Sequence, residues 1–130
     1  MKNVIFTDKA PKPIGPYSQA IMAGGFIFVS GQLGIDNQAN MPLTTKEQTK
    51  QVLENLKAIL ESTGSSLEKV VKVTIFFTQK EDFSLINEVY AEFFKNNPPA
   101  RSAICVTALP KDALVEIEAI AEQAGSIYEH

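Results

Sequence analysis

The sequence predicts an α+β domain in which one β-sheet carries two amphipathic helices on one of its faces. Two segments repeat apolar residues at helical spacing: Val52, Leu53, Leu56, Ile59 and Leu60 in the first, and Leu85, Ile86, Val89, Tyr90, Phe93 and Phe94 in the second. Short runs rich in β-branched and aromatic residues flank and separate them, so the chain order reads strands, helix, strand, helix, strand, strand. The whole of 1–130 reads as one domain, without linker, internal repeat or low-complexity segment.

Between Gly25 and Gly31 the run Phe26-Ile27-Phe28-Val29-Ser30 is a short buried strand; Ser18 to Met22 is its hairpin partner, with Gly24-Gly25 as the turn. Thr44 and Thr45 precede Glu47 and Gln48 at capping-box spacing, which starts the first helix, and Gly64 stops it. Val70 to Thr78 is the next strand; alternation puts Val71, Val73, Ile75 and Phe77 on one face and Lys72, Thr74 and Phe76 on the other. The second helix opens near Asp82 and ends before Pro98. Two more strands, about Arg101 to Thr107 and Val115 to Ala121, are joined through Leu109-Pro110-Lys111-Asp112.

Two helices cover only one face. On the last strand Val115, Ile117 and Ala119 are expected under the helices, which leaves Glu116, Glu118 and Ile120 on the open side. Arg101, Ala103 and Cys105 share one side of the strand before it. A face mixing Phe76, Val106 and Ile120 with charged groups, and either Ile104 or Cys105, is too apolar for a solvated surface and too polar for a monomer core. A subunit interface with ionisable residues in the clefts between protomers resolves the conflict.

Composition narrows the chemistry. The 12 Lys plus Arg against 15 Asp plus Glu give a net charge of −3 over 130 residues. The one histidine is His130 and the one cysteine Cys105, which excludes Ser-His-Asp or Cys-His catalysis, a Cys/His zinc site and an intrachain disulfide. No apolar run approaches the ~20 residues that span a bilayer. No signal sequence is visible, and with the lone cysteine this points to a reducing cytoplasm. Scattered Lys and Arg with no basic tract give nucleic-acid binding no support.

Arg101 and Glu116 are the residues whose chemistry stands out. A guanidinium offers a bidentate fork to a carboxylate substrate, and a nearby carboxylate can order a water or move a proton. Spacing alone favours a structural Arg–Glu pair across neighbouring strands. Tyr17 is either a binding residue or a loop cap. Asn87, beside the apolar stripe, is placed to make a specific hydrogen bond, and Ser30-Gly31-Gln32 ends a strand with accessible backbone.

The motifs Ile14-Gly15-Pro16-Tyr17-Ser18-Gln19, Ser30-Gly31-Gln32, Asn87-Glu88-Val89-Tyr90, Pro99-Ala100-Arg101-Ser102 and Leu109-Pro110-Lys111-Asp112 followed by Glu116-Ile117-Glu118 stand in order along the chain. Together they resemble the RidA (YjgF) family of reactive-intermediate deaminases from about Thr7 to Ala121. The resemblance implies a chorismate-mutase-like fold with a mixed sheet, a homotrimer whose sheets form a central barrel, and active sites between subunits. It also implies hydrolysis of short 2-imino acids, or their enamine tautomers, released by pyridoxal-phosphate dehydratases acting on threonine or serine, to 2-oxo acids and ammonia. No metal or cofactor is implied. Carried over, Arg101 would hold the substrate carboxylate and Glu116 would activate water. Tyr17, Ser30, Gly31 and Asn87 would line the pocket, and Ala103 would contribute backbone N–H. Two positions depart from the family pattern: Ala103 stands where a Cys is frequent, with Cys105 two residues later, and Gly34 stands where a Pro is frequent.

A non-catalytic trimer that senses oxo acids in the same clefts is the alternative from another class. A ribonuclease or translation inhibitor, an activity attributed to some relatives, is disfavoured by the −3 charge and by the lack of any histidine before His130.

Overall fold

Gly24 and Gly25 both adopt positive φ, 61° and 86°, and close a hairpin between β2 (Ala20–Ala23) and β3 (Phe26–Leu33). Two successive left-handed residues suit glycine best, because it carries no Cβ to clash. The computed structural model describes residues 1–125, so His130 lies outside the described residues. The remaining elements are β1 (Asn3–Ile5), α1 (Thr45–Ser62), β4 (Val70–Phe77), α2 (Phe83–Phe93), β5 (Ala100–Cys105) and β6 (Val115–Glu122). The three-residue β1 is too short to leave a pattern in the sequence.

The six strands form one mixed sheet in the order β1-β2-β3-β6-β4-β5, antiparallel except for the β4–β5 pair. The strands carrying Arg101 and Glu116 are therefore not neighbours, contrary to the sequence reading: β4 lies between them. The reason is the crossover through α2, which returns β5 parallel to β4 on its outer side, while β6 runs antiparallel to both β4 and β3.

Both helices pack on one face, as expected. On α1, Val52, Leu53, Leu56, Ile59 and Leu60 are fully buried, as are Val115 and Ile117 of β6 and Val73 and Ile75 of β4. Each such side chain contributes about 1.5–3 kcal/mol of hydrophobic stabilisation. One residue departs from the expected alternation. Val71 is 39% exposed and Val70 buried, because the register against β6 slips between Val70 and Lys72. That bulge moves Val71 off the buried row. The other face carries Phe28, 44% exposed, and Ile104, 45% exposed. Ile104 pairs with Phe76 and takes this open side, while Cys105 pairs with Phe77 of the buried row. Among the described residues no helix is long and apolar enough to cross a membrane.

Helix α1 starts at the expected cap: Glu47 N–H donates to Thr44 Oγ1 at 3.2 Å, and that hydroxyl donates to Glu47 Oε1 at 3.0 Å. Gly64, at φ 88°, follows its C-terminal end. Buried amides tie the loops to this framework. Gln19 accepts from Thr7 N–H at 2.7 Å and donates to Pro11 O at 2.9 Å. Asn55 donates to Leu33 O at 3.0 Å and Ile35 O at 2.9 Å. Gln48 donates to Pro42 O and accepts from Leu114 N–H, both at 2.8 Å.

The loop from Gly34 to Pro42 is thus pinned at both ends, and its backbone runs against α1. A Cβ at position 34 would lie 2.7 Å from Gln48 O and 2.8 Å from Gln48 Cα, which explains a glycine there. Gly34→Ala should cost about 1–3 kcal/mol through overpacking against helix backbone. Chemical denaturation measures this; a midpoint equal to that of the parent protein would contradict the packing account.

Candidate active site

Arg101 is the second residue of β5 and pairs with Val73 of the buried row, so its side chain emerges on the helix side of the sheet at an exposed edge. There it meets α2. Arg101 Nη1 donates to Asn87 Oδ1 at 2.9 Å, and the guanidinium carbon lies 4.9 Å from the Tyr90 ring centroid and 5.7 Å from that of Phe83. Asn87 does make the specific hydrogen bond expected of it. Ala103, two residues along β5, shares this side and packs half-buried against the core. Cys105 follows on the same side, its thiol 3.9 Å from Thr78 O.

Glu116 lies on the opposite face. It pairs with Phe76 of β4 and Leu33 of β3, both on the open side. Beside it the β3–β6 register slips: Val29 faces Ala119 and Gln32 faces Ile117, so Ser30 and Gly31 together stand against Glu118. This β-bulge is built into the site wall. Ser30 is anchored by two bonds, its hydroxyl to Ser18 O at 2.6 Å and its N–H to Gln19 O at 2.9 Å. A Cβ at Gly31 would overlap the Glu116 carboxylate, lying 2.8 Å from its Cδ, so any larger residue there would displace that carboxylate from its present position. Tyr17 caps its own turn, with its N–H donating to Gly15 O at 2.8 Å and its hydroxyl accepting from Ile14 N–H at 3.3 Å. Tyr17, Gly31 and Leu33 line one end of a cavity of about 430 Å³ that Lys12, Asp36, Met41 and Lys111 help to enclose.

Burial pushes the Glu116 carboxyl above the usual carboxylate range, and repulsion from Glu118 on the same strand face adds to it. Tyr90 is likewise raised by burial, with the Arg101 charge pulling the other way. The fold therefore holds the Glu116 proton more tightly than the unfolded chain does. This group favours folding at acid pH, and that advantage is lost as pH rises through its raised pKa.

The sequence-selected residues fall into two groups. Arg101, Asn87 and Ala103 stand on the helix side; Ser30, Gly31 and Glu116 stand on the open side, with Tyr17 next to Gly31. The structural Arg101–Glu116 pair allowed by the sequence does not form, since the two occupy opposite faces of one sheet with β4 between their strands. Among the described residues the one ion pair within 4 Å is Lys46–Glu88, at 3.9 Å. Sequence reading missed the aromatic bed under Arg101 and the bulge at Ser30-Gly31. The spacing of Phe83, Asn87 and Tyr90 at i, i+4 and i+7 was the available signal for the first.

The profile of the family described as Endoribonuclease L-PSP matches residues 7–123. The chain belongs to this family, the RidA (YjgF) family. A RutC family protein of Pyrococcus horikoshii is 58% identical over 123 residues, covering 93% of this chain and 98% of its own. The human 2-iminobutanoate/2-iminopropanoate deaminase is 43% identical over 125 residues, covering 95% of this chain and 91% of its own. The crystal structure of RidA from an Antarctic Psychrobacter superposes with a TM-score of 0.90 at 45% identity, covering 92% of this chain and 98% of that one. The α+β fold read from the sequence is thus the RidA fold. Imine deamination is an activity for which members of this family are named.

The RidA framework makes the electrostatics of Glu116 testable. Side-chain carboxyl NMR should show Glu116 titrating above the ordinary carboxylate range. Glu118→Gln should move that titration toward acid by removing the neighbouring charge. An unmoved Glu116 titration in the Glu118→Gln protein would contradict the contribution assigned to Glu118 and leave burial as the whole cause.

Proposed function

We propose that this RidA protein hydrolyses short 2-imino acids, 2-iminobutanoate and 2-iminopropanoate, to 2-oxo acids and ammonia at sites formed between protomers of a homotrimer. The observation that carries this reading is the separation of Arg101 and Glu116 onto opposite faces of one sheet. Neither half works alone: one offers a cation for a carboxylate, the other a base with an elevated pKa. A second copy packed on the open face brings its own Arg101 edge to this Glu116. The part-apolar open face, with Phe28, Ile104, Phe76 and Ile120, is suited to that burial.

In such a cleft the guanidinium takes the substrate carboxylate through two parallel N–H donors while Asn87 keeps a third, which fixes the planar imine. Glu116 accepts a proton from water as the oxygen attacks the imine carbon. The substrate reacts as the protonated imine, so as the carbon–oxygen bond forms the C=N π pair moves onto the cationic nitrogen and leaves a neutral carbinolamine. The resulting carbinolamine loses ammonia once its nitrogen takes the proton back from Glu116, and loss of the hydroxyl proton leaves the 2-oxo acid. A carboxyl held above the usual range is better matched to this exchange at neutral pH than an ordinary one. Ser30, Gly31, Tyr17 and the Ala103 backbone line the pocket. The chemistry draws on no cofactor, and a single free cysteine suits a reducing cytoplasm. The ribonuclease in the family description fits poorly with a net charge of −3, since phosphate binding relies on clustered cations.

The test generates the enamine in situ with a threonine or serine dehydratase and follows its decay. Glu116→Gln should lower turnover roughly 10²- to 10⁴-fold while 2-oxobutanoate still binds by calorimetry. Arg101→Ala should weaken binding itself. Both variants should retain the parent's assembly state by light scattering. A Glu116→Gln protein that binds normally and turns over like the parent would eliminate this mechanism. Unaccelerated decay with the parent protein would favour the oxo-acid-sensing trimer instead.

A further inference from the structure

We propose that Tyr90 and Phe83 are positioning residues that hold the Arg101 guanidinium in the plane needed to receive a carboxylate, and that the Tyr90 ring, not its hydroxyl, does this. The proposal rests on the reading that Arg101 binds the substrate carboxylate. Arg101 stands on an exposed edge strand, and its one side-chain hydrogen bond among the described residues is to Asn87. A single bond leaves a long side chain free to swing about that contact, and an unrestrained Arg retains much rotamer entropy that binding a carboxylate would have to remove. The two ring faces remove this freedom, with both centroids within the distance at which a cation is attracted to an aromatic quadrupole.

The bed is itself fixed from below. Phe83 stacks on Phe77, with centroids 5.2 Å apart and planes 17° from parallel, and Phe77 belongs to the buried row of β4. Tyr90 packs on Phe94 at 4.6 Å. The orientation of the guanidinium is thus referred back to the sheet and α2, not to the solvent-exposed strand from which it projects. The Tyr90 hydroxyl is buried and has no hydrogen-bond partner among the described residues, while its ring lies 4.9 Å from the Arg101 guanidinium carbon. What Arg101 uses is the ring.

A double-mutant cycle separates this from simple core packing. With the in-situ enamine as substrate and 2-oxobutanoate as calorimetric ligand, Tyr90→Leu should raise KM and Kd about three- to thirtyfold, with kcat changed far less. Tyr90→Phe should behave as the parent on both measures. Tyr90→Leu should add no further loss in an Arg101→Ala background. Additive losses in the double variant, or equal losses in the Phe and Leu variants, would overturn the proposal while leaving Arg101 as the carboxylate clamp. Parent-like binding by Arg101→Ala would overturn the clamp and this proposal together. Should Tyr90→Leu fail to assemble, Phe83→Leu, at a half-buried position, carries the same cycle with the same expected pattern.

Discussion

A sheet has two faces, and here α1 and α2 both lie on the same one. Leu53, Leu56, Ile59 and Leu60 of α1 and Ile86 of α2 are excluded from water against Val73, Ile75, Val115 and Ile117. Burial of that side contributes most of the hydrophobic stabilisation, and the amphipathic stripes leave no element to cover the other side. Every residue of interest is sorted by this asymmetry. Strand alternation sends Arg101 and Ala103 toward the helices and Glu116 and Glu118 away from them. The division of the candidate site residues between two surfaces follows from the parity of positions 101 and 116 once the strand order is set.

The open side is shaped by one irregularity. The bulge at Ser30 and Gly31 interrupts the ladder beside Glu116, and the missing Cβ of Gly31 makes room for the carboxylate. That carboxylate sits half-buried next to Glu118, which accounts for its raised pKa without any partner. The loops around Tyr17 and Gly34 are positioned by Gln19, Asn55 and Gln48, which satisfy backbone groups that the sheet does not reach. On the helix side the logic is reversed: a charge stands at the exposed rim and is steadied by aromatic faces rooted in the core.

Most of this fold was legible in the sequence because its signals are local. The caps at Thr44 and Gly64, the glycine hairpin and the helical stripes each report nearby physics, and alternation on β6 placed Glu116 on the open side correctly. Strand adjacency was not legible. That β4 separates β5 from β6 depends on the α2 crossover, a consequence of chain topology that no residue of β5 encodes. Val71 was misplaced for the same kind of reason, since a bulge shifts alternation by one and leaves no distinctive residue behind. Whether Ile104 or Cys105 faced outward depended on the register with β4, which only the paired strand defines. The candidate site residues come from ordered motifs, while their division between two faces depends on the register of β4 with β5 and β6.

The division itself is the central claim, and subunit mixing tests it most directly. Arg101→Ala and Glu116→Gln proteins, each expected to be deficient alone, are unfolded together and refolded at equal concentrations, and imine turnover is measured on the mixed assemblies. A site drawing Arg101 from one protomer and Glu116 from its neighbour is intact when the neighbours carry complementary lesions. Random mixing should then restore about a quarter of the parent activity. Mixed assemblies of verified composition that remain as inactive as the two separate variants would show that Arg101 and Glu116 do not meet across an interface.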